Sequence, residues 1–238
     1  MHRLLIVTGA SSGIGAALAA RAAGDGAEVA SVSRRPGPGR HLQADLSVPS
    51  EWERTVTWID DAVSAGSHDW VALVHSAATL TPIGYAGEVP HDEYTRHVLL
   101  NSASPQVIGD GFLRSMSGRD GVLCVLSSGA ARTPYEGWSG YCAGKAAVDQ
   151  WCRVAGSEQQ RRGDRVKVVA VAPGVVDTSM QGEIRQSSES EFPLVDRFRG
   201  FHSSGELGDP IDVGRRLWEL LVGGAFENGS VLDLRASR

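Results

Sequence analysis

A chain of 238 residues is long enough to bury a sizeable core, as one large domain or two small ones. Its 42% hydrophobic and 21% charged residues are the mix of a water-soluble globular protein. A formal charge of −5 argues against nucleic acid or an anionic membrane as the main partner. No apolar run approaches the roughly 20 residues of a spanning helix. The opening "MHRLLIVTGAS" passes from one basic residue into a glycine turn, without a signal-peptide apolar core, so a cytoplasmic protein is expected. Cys124, Cys142 and Cys152 are odd in number and lack CxxC spacing, which speaks against a disulfide framework or structural zinc. The seven histidines are scattered, and no metal is expected.

In chain order, short apolar runs alternate with longer amphipathic ones, the rhythm of a parallel sheet with crossover helices. "RLLIVTG" (3–9) reads as a buried strand, and "GIGAALAARAAGDG" (13–26) as an alanine-rich helix closed by glycine. "AEVASVSR" (27–34) is a second strand and "RHLQADL" (40–46) a short third. A helix over 50–65 precedes the fourth strand, 69–77. One long helix is expected from His91 to Met116, with Pro105 inside it as a local liability. "GVLCVLSS" (121–128) is strand five, and a second long helix runs from Tyr141 to Arg162. "RVKVVAVAPG" (165–174) is strand six, followed at the end by a helix over 209–223 and strand seven over 229–235. Between 178 and 208 the pattern lapses into Ser, Glu and Gly. Met180, Phe192, Phe198 and Phe201 are spaced through that stretch, which marks it as a lid. No repeat or long linker divides the chain. The fold expected is α/β: a single-domain Rossmann fold with a doubly wound, seven-stranded parallel sheet and helices on both faces.

"TGASSGIG" follows strand one and opens helix one. A glycine turn there lets the backbone approach a pyrophosphate, while free N–H groups at the helix start carry partial positive charge. Gly9, Gly13 and Gly15 with Ser11, Ser12 and Ile14 form the candidate cradle. Three glycines alone would equally suit a tight turn; the strand–turn–helix context favours the phosphate. An NAD site wants a carboxylate about 20 residues on. Here Ser33, Arg34 and Arg35 stand in its place, and arginine forks match a 2′-phosphate, so NADP(H) is the expected cofactor. Asp45 and Leu46 lie where an adenine amine would be met.

"GWSGYCAGKAAVD" sets Tyr141 and Lys145 one helical turn apart, on one face. By spacing alone this is also an ordinary surface pair. Together with TGxxxGIG and a serine, Ser128, at the end of strand five, it resembles the short-chain dehydrogenase/reductase family over essentially the whole chain. "SSGAARTPYEGWSGYCAGKAAVD" and "APGVVDTSMQ" are most similar to the sepiapterin reductase and bacterial benzil reductase branch. Two positions depart from the pattern. The family's NNAG reads His75, Ser76, Ala77, Ala78: His75 is read as a structural replacement for asparagine, and Ala77 keeps the small contact to the cofactor. At the C-terminus, the acid that grips the pterin in animal sepiapterin reductases aligns with Ala236, which disfavours a pterin.

A free tyrosine has a pKa near 10, and a neighbouring ammonium favours its phenolate. Tyr141 is therefore read as the proton donor to a carbonyl oxygen, with the charges of Lys145 and of the oxidised nicotinamide lowering its pKa and Ser128 fixing the oxygen. The resemblance further implies that Lys145 holds the nicotinamide ribose and that Asn101 holds a water relaying protons. It also implies that Pro173, Gly174, Val176 and Thr178 close on the nicotinamide. Tyr135, Trp138, Met180, Phe192 and Phe198 are candidate walls for an apolar substrate. The function expected is an NADPH-dependent reductase of a small ketone or vicinal diketone. Alternatives are an oxidative alcohol dehydrogenase, a reductase of pterins or carrier-bound ketones, and a non-catalytic NADP(H) sensor. Ala146, Ala147, Trp151 and Val154 suggest a homodimer through the two long helices.

Overall fold

The computed structural model describes residues 1–236. In chain order its elements are β1 (Arg3–Thr8), α1 (Gly13–Gly24), β2 (Glu28–Ser33), β3 (Arg40–Gln43), α2 (Ser50–Ser64) and β4 (Trp70–His75). Next come α3 (His91–Val98), a π-helical turn (Leu99–Ala103), α4 (Ser104–Ser115), β5 (Gly121–Leu126) and α5 (Ser139–Arg162). The chain ends with β6 (Val166–Ala172), α6 (Ser179–Gln186), α7 (Val195–Ser203), α8 (Pro210–Gly223) and β7 (Ser230–Asp233). All strands are parallel, in the order β3-β2-β1-β4-β5-β6-β7. The order reverses between β1 and β4, and such a switch point opens a crevice beyond the carboxyl ends of the strands.

The continuous apolar strands follow from burial on both faces. Leu4 and Ile6 pack with Ile59 of α2, Phe112 of α4 and Val148 of α5. The alternate residues Leu5 and Val7 pack with Leu18 of α1 and Leu217 of α8 on the other side. Among the described residues no helix is long and apolar enough to cross a membrane.

Three expectations are corrected. The 91–116 helix is interrupted by a π turn. The ring of Pro105 would strike the carbonyl of residue 101 in a regular helix, and widening the turn at Leu99–Ala103 relieves that contact. The third strand stops at Gln43 because Asp45 Oδ1 accepts from the N–H and hydroxyl of Ser47 and turns the chain. The stretch 178–208 is not irregular: α6 and α7 lie within it, each too short to show a clear period in the sequence.

His75 ends β4, buried, with Nε2 3.3 Å from the Ser104 hydroxyl on α4. Burial first, then the charge of Lys145, pushes its pKa down to about 3. The unfolded chain therefore takes up a proton below about 6.5 that the folded chain refuses. Stability from this group is present above that pH and is lost as pH falls towards 3, by up to about 1.4 kcal/mol per unit. Urea unfolding at pH 7 and pH 5 is expected to show a smaller acid loss in His75→Asn than in the parent.

Candidate active site

A cleft of about 540 Å³ runs along the carboxyl ends of the strands. At one end lies the turn from β1 into α1. Gly9, at φ 71°, backs onto Ala77: a Cβ there would stand 2.7 Å from the Ala77 nitrogen. The first turn of α1 carries no acidic residue, and the Ser12 side chain does not cap it, so its N–H groups face the cleft uncompensated. Ser11, Ser12, Gly13 and Ile14 line this end; Gly15 does not, being packed beneath the Gly9 carbonyl. At the end of β2, exposed Arg34 and Arg35 reach the same cleft, with Arg35 Nη2 3.4 Å from the Ser12 hydroxyl. Ser33, Asp45 and Leu46 complete that wall, and Pro173, Gly174, Val176 and Thr178 face it from β6 onwards.

At the other end α5 lays Tyr141 and Lys145 beside β5. Both are buried. Burial pushes the Tyr141 phenol up to about 12, and the neighbouring Ser128 side chain pulls the other way. Without a dinucleotide, then, the lysine does not by itself lower the phenol. Lys145 Nζ donates instead to the Leu126 carbonyl at 2.8 Å and stands 5.5 Å from the centre of the tyrosine ring. Burial brings Lys145 down to about 8, while Asp149, one turn further along α5, pulls it up. Asp149 in turn accepts from the Ser127 hydroxyl. The sequence reading missed Asp149 and Ser127, although a third polar residue at i+4 was a visible signal.

Asn101 lies behind the cleft, inside the π turn. Its Nδ2 donates to the Thr79 carbonyl at 2.7 Å, and its Oδ1 accepts from the Thr79 N–H at 3.0 Å. Its side chain is thus bound to protein. Of the expected substrate walls, Tyr135, Trp138, Met180 and Phe198 line the cleft. Phe192 does not: it is fully buried and stacks flat on Trp138, with centroids 4.4 Å apart. The 178–208 segment is closed at its base, where Gly208 N–H donates to Val175 O and Asp177 N–H to Gly208 O, both at 2.9 Å. The C-terminal residue facing the cleft is Arg235, paired with Asp233; Ala236 is exposed in the turn after β7.

The family model for short chain dehydrogenase matches residues 3–189. The chain belongs to the short-chain dehydrogenase family. Enzymes of this family are oxidoreductases that use a nicotinamide dinucleotide. A benzil reductase ((S)-benzoin forming) of Bacillus subtilis is 36% identical over 98% of both chains. A sepiapterin reductase of Rattus norvegicus is 29% identical, over 96% of this chain and 94% of that one. A solved short chain dehydrogenase/reductase from Saccharomyces cerevisiae superposes with a TM-score of 0.86 at 25% identity, over 98% of this chain and 96% of that one.

The residues present suit the family's dinucleotide. The Gly9 surface against Ala77 leaves a cradle that a side chain would fill, the α1 amides favour an anion, and the same end carries two arginines. Among the described residues, two histidines scattered in sequence meet in space. His2, Glu28 and His68 come together within 4.8 Å at the amino ends of β1, β2 and β4, opposite the cleft. There His68 Nε2 lies 2.9 Å from Glu28, as an imidazole–carboxylate pair.

Gly9→Ala would place a methyl group on Ala77 at a backbone angle that costs a side-chain-bearing residue about 1–2 kcal/mol. Thermal unfolding is expected to shift down and dinucleotide affinity, read by fluorescence titration, to fall by about tenfold or more.

Proposed function

We propose that this family member is an NADPH-dependent carbonyl reductase. Its substrate is a small aryl ketone or a vicinal diketone of the benzil type. The observation that carries the reading is a buried phenol beside the Ser128 hydroxyl, at the end of β5, in the same cleft as Arg34 and Arg35. The two arginines, with no carboxylate at the end of β2, favour a 2′-phosphate over a free ribose hydroxyl. The cleft walls of Tyr135, Trp138 and Phe198 suit an aromatic substrate, and the benzil reductase relative points the same way. The absence of an acid at Ala236 speaks against a pterin.

NADPH, when bound, supplies the hydride that reduces the carbonyl carbon. Tyr141, kept protonated by burial, gives its proton to the carbonyl oxygen as negative charge develops there. Ser128 donates to the same oxygen and fixes its direction. Lys145, steadied by Leu126 and Asp149, is the residue to hold the nicotinamide ribose and to favour the phenolate left behind. Asn101 braces the segment beyond β4 through Thr79. Ser11, Ser12, Gly13 and Ile14 receive the pyrophosphate, and Asp45 and Leu46 the adenine. Pro173, Gly174, Val176 and Thr178 take the nicotinamide side, and α6 and α7 act as the substrate lid. The protein works in the cytoplasm as a homodimer. Exposed Val107 on α4, with Val154 and Ala146 on α5, offers the apolar face, while half-buried Trp151 packs over Gly109 of its own chain.

Tyr141→Phe is expected to lower benzil turnover by roughly 10²–10⁴-fold, with NADPH affinity within about threefold of the parent. Replacing Arg34 and Arg35 together by alanine is expected to raise the Kd for NADPH about tenfold or more and to leave that for NADH nearly unchanged. Full turnover by the Phe variant, or equal losses for both dinucleotides, would contradict the proposal.

A further inference from the structure

We infer that His97 is the positioning residue that fixes the Asn101 carboxamide and seats the first turns of α5, which carry Tyr141 and Lys145. The inference rests on the reductase reading for its kinetic consequence, though not for its geometry.

The placement of each proton follows from partners that have no choice. The Thr79 carbonyl can only accept and the Thr79 N–H can only donate, so the orientation of the Asn101 amide is set: Nδ2 faces the carbonyl and Oδ1 the N–H. The second hydrogen on Nδ2 then points at His97 Nε2, 2.9 Å away, which must accept it. The ring proton is left on Nδ1, where it donates to the Thr81 carbonyl at 2.9 Å. A neutral His97 with its proton on Nδ1 is the only state in which every member of this buried chain is satisfied. A second proton would set Nε2–H against the Asn101 N–H.

The groups facing the ring agree with a neutral state. Burial holds its pKa below the ordinary imidazole value, against the Thr81 and Gly140 carbonyls, which favour the charged form; the Lys145 charge adds to the lowering. Tyr94, on its own helix, stacks at 6.5 Å, and Tyr141 meets it edge-on at 6.3 Å.

The packing carries this arrangement to α5. His97 and Asn101, one turn apart, sit on the backbone of α5 at the two glycines that flank Tyr141. A Cβ on Gly140 would come within 3.1 Å of the His97 ring, and one on Gly144 within 3.2 Å of Asn101 Cβ. A change in the His97–Asn101 pair is therefore felt on both sides of the phenol. A shift of about 1 Å in such a group can cost 10²-fold in rate.

Two measurements test this on the full chain. Nitrogen NMR of histidine-labelled protein at pH 7 is expected to show His97 protonated on Nδ1; a ring protonated on Nε2, or on both nitrogens, would overturn the inference. In steady-state reduction of benzil, His97→Leu is expected to lower kcat about tenfold and to leave KM within about twofold. His97→Gln, whose amide oxygen can accept from Asn101, is expected to recover kcat to within about threefold. Parental kcat in the Leu variant, or no recovery of kcat in the Gln variant, would overturn it. Should the parent reduce no carbonyl compound at all, the reductase reading falls, and the NMR result still decides the placement of His97.

Discussion

The bond from the Lys145 ammonium to the Leu126 carbonyl ties the longest helix to the end of a central strand, and the site takes its position from that tie. Leu126 is the last residue of β5, so its carbonyl has no helix or turn of its own to satisfy. Capturing it with a buried cation fixes α5 along and across the sheet. Tyr141, one turn earlier, then falls beside Ser128, and Asp149, one turn later, falls beside Ser127. Three polar side chains at i, i+4 and i+8 thus meet three consecutive residues at the end of one strand.

A second constraint comes from Pro105. It has no N–H, and its ring excludes the carbonyl four residues back, which belongs to Asn101. The helix widens into a π turn there, and the Asn101 backbone turns towards α5 at Gly144. The residue that looks like a defect in the sequence is what brings α3 and α4 onto the face of α5 that carries Tyr141 and Lys145. Local irregularity and site geometry share one cause.

Much of this was legible in the chain. The seven strands could be read because burial on both faces demands unbroken apolar runs, as in "RLLIVT" and "VKVVAVA". The glycine turn, Ser128 and the Tyr141–Lys145 pair, each ambiguous by spacing alone and singled out by the family resemblance, do meet in one cleft. What could not be read depends on contacts distant in sequence. His97 gains meaning only when Thr81 and Asn101 close around it. Phe192 looked like a substrate wall, yet it is the floor on which Trp138 lies. The two helices of the 178–208 segment are short, and their order comes from the buried cluster of Ile184, Phe192, Val195 and Phe198 rather than from local period. His2, Glu28 and His68 are far apart in sequence and adjacent only because their strands are neighbours.

The electrostatics of the site reverse the simplest expectation. With its lysine bound to the strand carbonyl, Tyr141 answers first to burial, which keeps the phenol protonated. A reductase is served by that state, since the proton must be present when the hydride arrives. The positive charge that would lower the phenol has to come with an oxidised dinucleotide. The most direct test is a pH titration of tyrosine labelled at Cζ, followed by carbon NMR, with Tyr141→Phe assigning the resonance. The account predicts that Tyr141 in the free protein stays protonated past pH 10, with a pKa near 12, and that saturating NADP⁺ lowers it. Ionisation at or below pH 10 in the free protein, or no response to the dinucleotide, would contradict it.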